Sequence, residues 1–131
     1  MLNLDNINKA VFSVHLPDYN PLDIKPGIVH FGVGNFFRAH EALYIDKILH
    51  AEPNWGIVGV GLTDGEHSRK KAAMFKAQDC LYSLTECAPD GGRTVRVIAA
   101  LRDYLLAAQD PQKVLAQLSS PSTRIVSMTI T

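Results

Sequence analysis

Two periodicities of apolar and polar positions alternate along the chain, and each change of period marks an element. Gly27 is followed by Ile28, Val29, His30 and Phe31, a short apolar run that stops at the glycines of GVGNFF. A run of that kind, rich in β-branched and aromatic residues and bounded by glycine, predicts a strand buried on both faces. From Asn35 to His50 neither Pro nor Gly occurs. Phe36, Ala39 and Leu43, with Ala42, Ile45 and Leu49, form two adjoining stripes at helical spacing, which predicts one continuous helix. Pro53 and Asn54 end it, and Trp55 to Leu62 (WGIVGVGL) predicts a second buried strand. Strand, helix and strand in succession make a βαβ unit with a right-handed crossover.

Further on, EHSRKKAAMFKA (66–77) predicts a more exposed helix, and LYSLTE and TVRVIA flank APDGGR as a hairpin turning at Asp90-Gly91. Residues 102–118 read as helical with an interruption at Asp110-Pro111, where Pro111 suits the first turn of a new helix. RIVSMTIT (124–131) predicts a last strand. Upstream, Pro17, Pro21 and Pro26 break any long element, so residues 1–26 are expected to form an arm packed onto a domain of residues 27–131.

The glycines at the end of the first strand bring in chemistry. In GVGNFF, Gly32 and Gly34 match the first two glycines of the dinucleotide fingerprint GxGxxG, and Phe37 stands where the third belongs. Gly32 would allow the tight turn, Gly34 would let the backbone approach a pyrophosphate, and free amides at the helix start would bind its charge. A glycine turn with no ligand is the plain alternative. Phe37 is expected to push the helix away from the strand and widen the loop. Arg38, one turn on, either faces the phosphates or pairs with an acidic neighbour.

Asp64, at the end of the second strand, suits the acidic residue that binds the adenosine ribose hydroxyls; it could equally cap the next helix, or do both. His67, Arg69, Lys70 and Lys71 follow, so a 2′-phosphate would also be tolerated, and NAD is favoured over NADP. The fold class expected is therefore α/β: a Rossmann-like NAD(P)-binding domain, mostly parallel sheet with a β-hairpin insertion. Because the pattern stops inside a strand and supplies only one βαβ-rich half, the domain is expected to be incomplete at its C-terminus, as a fragment would be.

Composition removes several other classes. Lys plus Arg number 13 and Asp plus Glu number 13, which leaves no net field to attract nucleic acid or an anionic membrane. No apolar run approaches the roughly 20 residues that span a bilayer, and the N-terminus lacks the pattern of a signal peptide. Cys80 and Cys87 match neither a redox pair nor a zinc knuckle, so a reducing cytoplasm is expected. His40-Glu41 begins like HExxH, but Tyr44 stands where the second imidazole belongs, and no metal site is expected. His30, inside a buried strand, is read as a hydrogen-bonded core histidine. Ser13, Ser68 and Ser83 lack the GxSxG elbow of a hydrolase.

The longer stretch IVHFGVGNFFRAHEALYIDKIL, with WGIVGVGL and RIVSMTIT in order and spacing, resembles the N-terminal signature of the long-chain mannitol dehydrogenase family. That family includes mannitol 2-dehydrogenase, arabinitol dehydrogenase and the hexuronate reductases. The resemblance implies that Ile28 to Ala39 form the NAD-binding loop, with Phe31, Gly32, Val33, Gly34, Asn35, Phe36, Phe37 and Arg38 around the cofactor. It implies that Asp64 sits where coenzyme preference is set and that Thr129 lies near the nicotinamide end. Many relatives have histidine in place of Phe37, and the backbone amides are expected to bind regardless. GVGLTD looks closer to the mannitol-type enzymes than to the fructuronate reductases.

In such relatives a catalytic lysine, with supporting Asn and His, lies in a second, largely helical domain, in a KIGLLNGSH-like motif that is absent from this sequence. The resemblance thus implies an NAD-binding portion of a metal-independent enzyme that oxidises a polyol to a ketose, with no catalytic residue in this chain and no turnover by the chain alone. A fructuronate or tagaturonate reductase parent, a non-catalytic nucleotide-binding or dimerisation module, and a methyltransferase are the rival readings. Oligomeric state has no signal in the sequence.

Overall fold

The computed structural model describes residues 1–7 and 14–130. Residues 8–13 of the expected arm, Ser13 among them, and Thr131 at the end of the expected last strand lie outside that range. Among the described residues, seven strands and four helices follow in the order β1 (Val14–His15), β2 (Pro26–Phe31), α1 (Asn35–Ala39), α2 (Glu41–Asp46), β3 (Gly56–Gly61), α3 (Glu66–Ala77), β4 (Tyr82–Cys87), β5 (Arg93–Ile98), β6 (Leu101–Leu106), α4 (Pro111–Leu118) and β7 (Ile125–Met128). A 3-10 turn, Pro21–Asp23, precedes β2.

β2, β3, β6 and β7 form one sheet in the order β6-β3-β2-β7, and all three pairings are parallel. Side chains alternate across β2 as its extended backbone requires: Ile28 joins the larger core, and Val29 the smaller one on the opposite face. The larger core gathers Ile28, Phe37, Leu43, Leu49, Ile57, Phe75 and Leu101 beneath α1, α2 and α3. The smaller one sets Val29 and Val60 against Val114 of α4. Helices on both faces of a parallel sheet are the layers of a Rossmann-like α/β domain. Among the described residues no helix is long and apolar enough to cross a membrane.

The hairpin forms as its turn residues dictate, with β4 antiparallel to β5 and Gly91 at φ 87°. It stands in a separate sheet with β1, which lies parallel to β5. Leu2, Leu4, Ile7, Val14 and Tyr19 pack there on Leu81, Val97 and Ala99. Tyr19 also donates to the Asp46 carboxylate at 2.5 Å, and that same carboxylate accepts from the Ala99 amide at 2.8 Å.

Two elements differ from the sequence reading. Residues 101–106 are not helical: they form β6, an edge strand paired with β3 from Leu101↔Ile57 to Leu106↔Gly61. Leu101, Tyr104 and Leu105 have helical spacing, but the open edge of β3 offers a full ladder of hydrogen bonds to an extended segment, and that pairing overrides local preference. The helix expected over 35–50 is broken at His40, whose φ of −123° and ψ of −82° are not helical, and it ends at Asp46 in turns.

Candidate functional site

β2 delivers the chain to Gly32 at the C-terminal edge of the sheet. There the backbone turns with φ of 89°, a conformation open chiefly to glycine, while the Gly32 amide still bonds Val60 O at 3.0 Å. Gly34 then serves as N-cap of α1 in an extended conformation. Having no side chain, it leaves the first amides of α1 uncapped, and those of Asn35, Phe36 and Phe37 are the groups that an α-helix cannot satisfy internally. A Cβ at Gly34 would meet only Gly32 O, at 3.8 Å, so the space in front of this position is open.

A continuous depression runs along the sheet edge past these amides. One part, of about 380 Å³, is lined by Gly32, Gly34, Leu62, Thr63, Lys71 and Thr129. It joins a part of about 460 Å³ walled by Gly34, Asn35, Arg38, His67, Lys70 and Lys71. On the other side it joins a part bordered by Phe31, Leu62, Met128 and Ile130. The strand order explains the location. Counted from β2, the sheet runs third, second, first, fourth, so the order in which strands are added reverses between β2 and β7, and a crevice opens there at the carboxyl ends of these parallel strands.

The electrostatics of the depression are cationic. Lys71 of α3 reaches back across the loop and donates to Val33 O. Its pKa is lowered, by burial first and then by the nearby Arg38 guanidinium. Arg38 donates to Gly34 O at 3.4 Å and to the Asn35 side chain. Among the described residues, Arg69 pairs with Asp64, and Lys70 with Glu66, whereas neither Arg38 nor Lys71 forms an ion pair. Two cations that repel one another beside uncapped amides are an arrangement that an anion would relieve. Since α1 has only five residues, its dipole adds little, and the local amides and these two side chains carry the charge complementarity.

The expected site residues separate into groups. Gly32, Val33, Gly34, Asn35, Arg38 and Thr129 converge on the depression, with Phe31 at its far end. Asp64 stands beside it, its carboxylate held by the Arg69 guanidinium and the Gly65 amide, both at 2.8 Å. It does not cap α3, whose N-cap is Gly65 without a side-chain bond. The phenyl ring of Phe36 is exposed and stacks on His40, away from the depression. Phe37 is only 1% exposed and its ring lies in the core, so its side chain does not reach the depression and only its amide is available there. Lys71 and Thr63 were the less legible members: Lys71 sits in a run of charges, and its reach back to Val33 depends on how α3 packs.

Below the floor lies a polar cluster. His30, 2% exposed, places Nδ1 at 2.9 Å from Ser127 Oγ and 3.2 Å from Glu41 Oε2, with Nε2 at 3.2 Å from Thr129 Oγ1. Ser127 in turn donates to Glu41 Oε1 at 2.8 Å. His30 is thus a hydrogen-bonded core histidine, as its place in a buried strand predicts.

Known proteins align with this geometry. The mannitol dehydrogenase Rossmann domain matches residues 26–131. The polyol:NADP oxidoreductase of Gluconobacter oxydans is 61% identical over 131 residues, which is 100% of this chain and 27% of that protein. A crystal structure of D-sorbitol dehydrogenase in substrate-free form superposes with a TM-score of 0.95 at 61% identity, over 99% of this chain and 27% of the other. The Pseudomonas fluorescens mannitol 2-dehydrogenase in ternary complex with NAD and D-mannitol gives 0.91 at 40% identity, over 98% and 26%. The chain therefore spans about a quarter of the length of these relatives. By its matched domain, its sheet order and its glycine loop, this chain belongs to the mannitol dehydrogenase family, as the Rossmann domain of that family.

Proposed function

We propose that this chain is the NAD-binding portion of a polyol dehydrogenase that converts a polyol to a ketose, and that the diphosphate of the dinucleotide lies on the Gly32–Gly34 loop. The observation that carries this reading is the pair of cations Arg38 and Lys71, outside any ion pair among the described residues and flanking the open amides of α1 at the reversal of strand order. The adenosine ribose hydroxyls lie toward Asp64, and the other half of the ligand crosses β2 toward Thr129, with Phe31 and Val33 shaping the floor. A bound nicotinamide dinucleotide supplies hydride transfer. The residues of this chain bind and orient it, and no catalytic residue is assigned among them. The relative whose structure holds NAD and D-mannitol supports both the cofactor and the substrate class.

NADP is the second reading, favoured by the relative named polyol:NADP oxidoreductase and by Arg69 beside Asp64, where a 2′-phosphate would find a guanidinium. Calorimetric titration of the protein with NAD, NADP and S-adenosylmethionine tests the assignment. Saturable heat with NAD or NADP and none with S-adenosylmethionine is expected. Binding of S-adenosylmethionine alone would overturn it.

A further inference from the structure

Three side chains beneath the crevice, Glu41, Ser127 and His30, fix the direction of the hydroxyl of a fourth, Thr129. Ser127 gives its only proton to Glu41 Oε1, so its oxygen meets His30 Nδ1 as an acceptor, and Glu41 Oε2, on the same nitrogen, can only accept as well. Both contacts require the ring proton on Nδ1. In a ring with one proton, Nε2 is then bare and accepts from the Thr129 hydroxyl at 3.2 Å. With that tautomer the Thr129 proton is directed to His30, which leaves the remaining lone pairs of Oγ1 free to accept, and Thr129 lines the crevice with Gly32 and Leu62.

We propose that Glu41, Ser127 and His30 are positioning residues that hold Thr129 Oγ1 as a hydrogen-bond acceptor toward the dinucleotide, selecting a donor group on the half of the ligand that crosses β2 onto β7. Resting on the binding reading above, it adds the polarity of the contact. The ligand chemistry is an N–H or O–H donor, supplied by the carboxamide NH₂ of the nicotinamide or by a hydroxyl of its ribose. The cluster is built for this end of the site. β2 and β7 place His30 opposite Ser127 in register, and Glu41 comes from the first residue of α2, created by the break at His40. An uninterrupted helix over 35–50 would turn that position differently, which gives the break a purpose beyond chain economy. The Phe37 ring, its centroid 3.9 Å from that of the imidazole, stacks on the face of the His30 ring, which is 2% exposed.

Nitrogen-15 NMR of the imidazole rings in the intact protein reads the polarity directly. A protonated Nδ1 and a bare Nε2 for His30 are expected, and Glu41→Gln, whose amide can donate to Nδ1, is expected to move the proton toward Nε2. Protonated Nε2 in the parent protein, or a ring unaffected by Glu41→Gln, overturns the proposal. The second arm uses Thr129→Val, which keeps the shape, titrated with NAD and with 3-acetylpyridine adenine dinucleotide, which lacks the carboxamide NH₂. A roughly fivefold loss for NAD alone identifies the carboxamide as the donor, and a similar loss for both ligands identifies the ribose hydroxyl. Equal affinities of Thr129→Val and parent protein for both ligands overturn the acceptor role. Failure of the parent protein to bind either ligand would instead remove the binding reading, while the ring nitrogens still decide the polarity.

Discussion

The phenyl ring of Phe37 lies almost flat on the imidazole of His30, with centroids 3.9 Å apart and planes inclined by 19°. The position at which a dinucleotide fingerprint carries its third glycine is thus filled here from below. The aromatic side chain turns into the core, where it contacts His30, itself only 2% exposed.

Restoring the fingerprint should therefore harm the protein. Phe37→Gly removes a side chain that is 1% exposed and leaves a cavity against His30, and it adds backbone entropy within α1. A loss of about 3–5 kcal/mol in urea unfolding is expected. A loss below about 1 kcal/mol would mean that the loop, and not the core, sets the residue at this position.

Glu41 gives the fold a specific acid sensitivity. Burial alone would raise its carboxyl pKa, but hydrogen bonds from His30 and Ser127 outweigh burial and hold it below the ordinary 4.5. A depressed folded pKa adds stability that is fully present above the ordinary value and is lost as pH falls through the folded one. Glu41→Gln should be less stable than the parent protein by about 1 kcal/mol near neutrality. The gap should close in acid below the ordinary value. Chemical unfolding at stepped pH measures it, and a gap independent of pH would contradict the assignment.

Coenzyme preference should follow the Asp64–Arg69 pair. With its carboxylate removed in Asp64→Ala, the ribose diol loses a charged acceptor, and Arg69, 2.8 Å away in the parent protein, becomes free to meet a 2′-phosphate. The ratio of NAD to NADP affinity is expected to fall roughly 10- to 100-fold by titration. An unchanged ratio would place the adenosine ribose elsewhere.

How much of this was legible in the sequence depends on how local each signal is. Gly32 needs φ of 89°, and Asp90-Gly91 needs a tight turn, so single residues declared both. The bounds of α3, 66–77, coincide with the reading because an exposed helix with one buried residue, Phe75, is governed by its own periodicity. The helical reading of 102–118 fails over 102–106 because that segment's fate rests on a partner strand, β3, more than 40 positions earlier. The break at His40 was hidden for a similar reason: Glu41 is drawn toward His30 and Ser127, contacts that no spacing along α2 reveals. Motif position drew attention to Arg38, which lines the depression, whereas the reach of Lys71 to Val33 O depends on the packing of α3 against the loop.

The most direct measurement is NAD titration of Gly34→Ala beside the parent protein, with a thermal melt of each. Gly34 is extended, at φ −96° and ψ −172°, and an added Cβ would touch only Gly32 O at 3.8 Å, so the fold has room for alanine. The methyl group would occupy the place assigned to the diphosphate. We predict a Tm equal to or slightly above that of the parent protein and an NAD affinity at least about tenfold weaker. Unchanged NAD affinity in a fully folded Gly34→Ala protein would contradict the account.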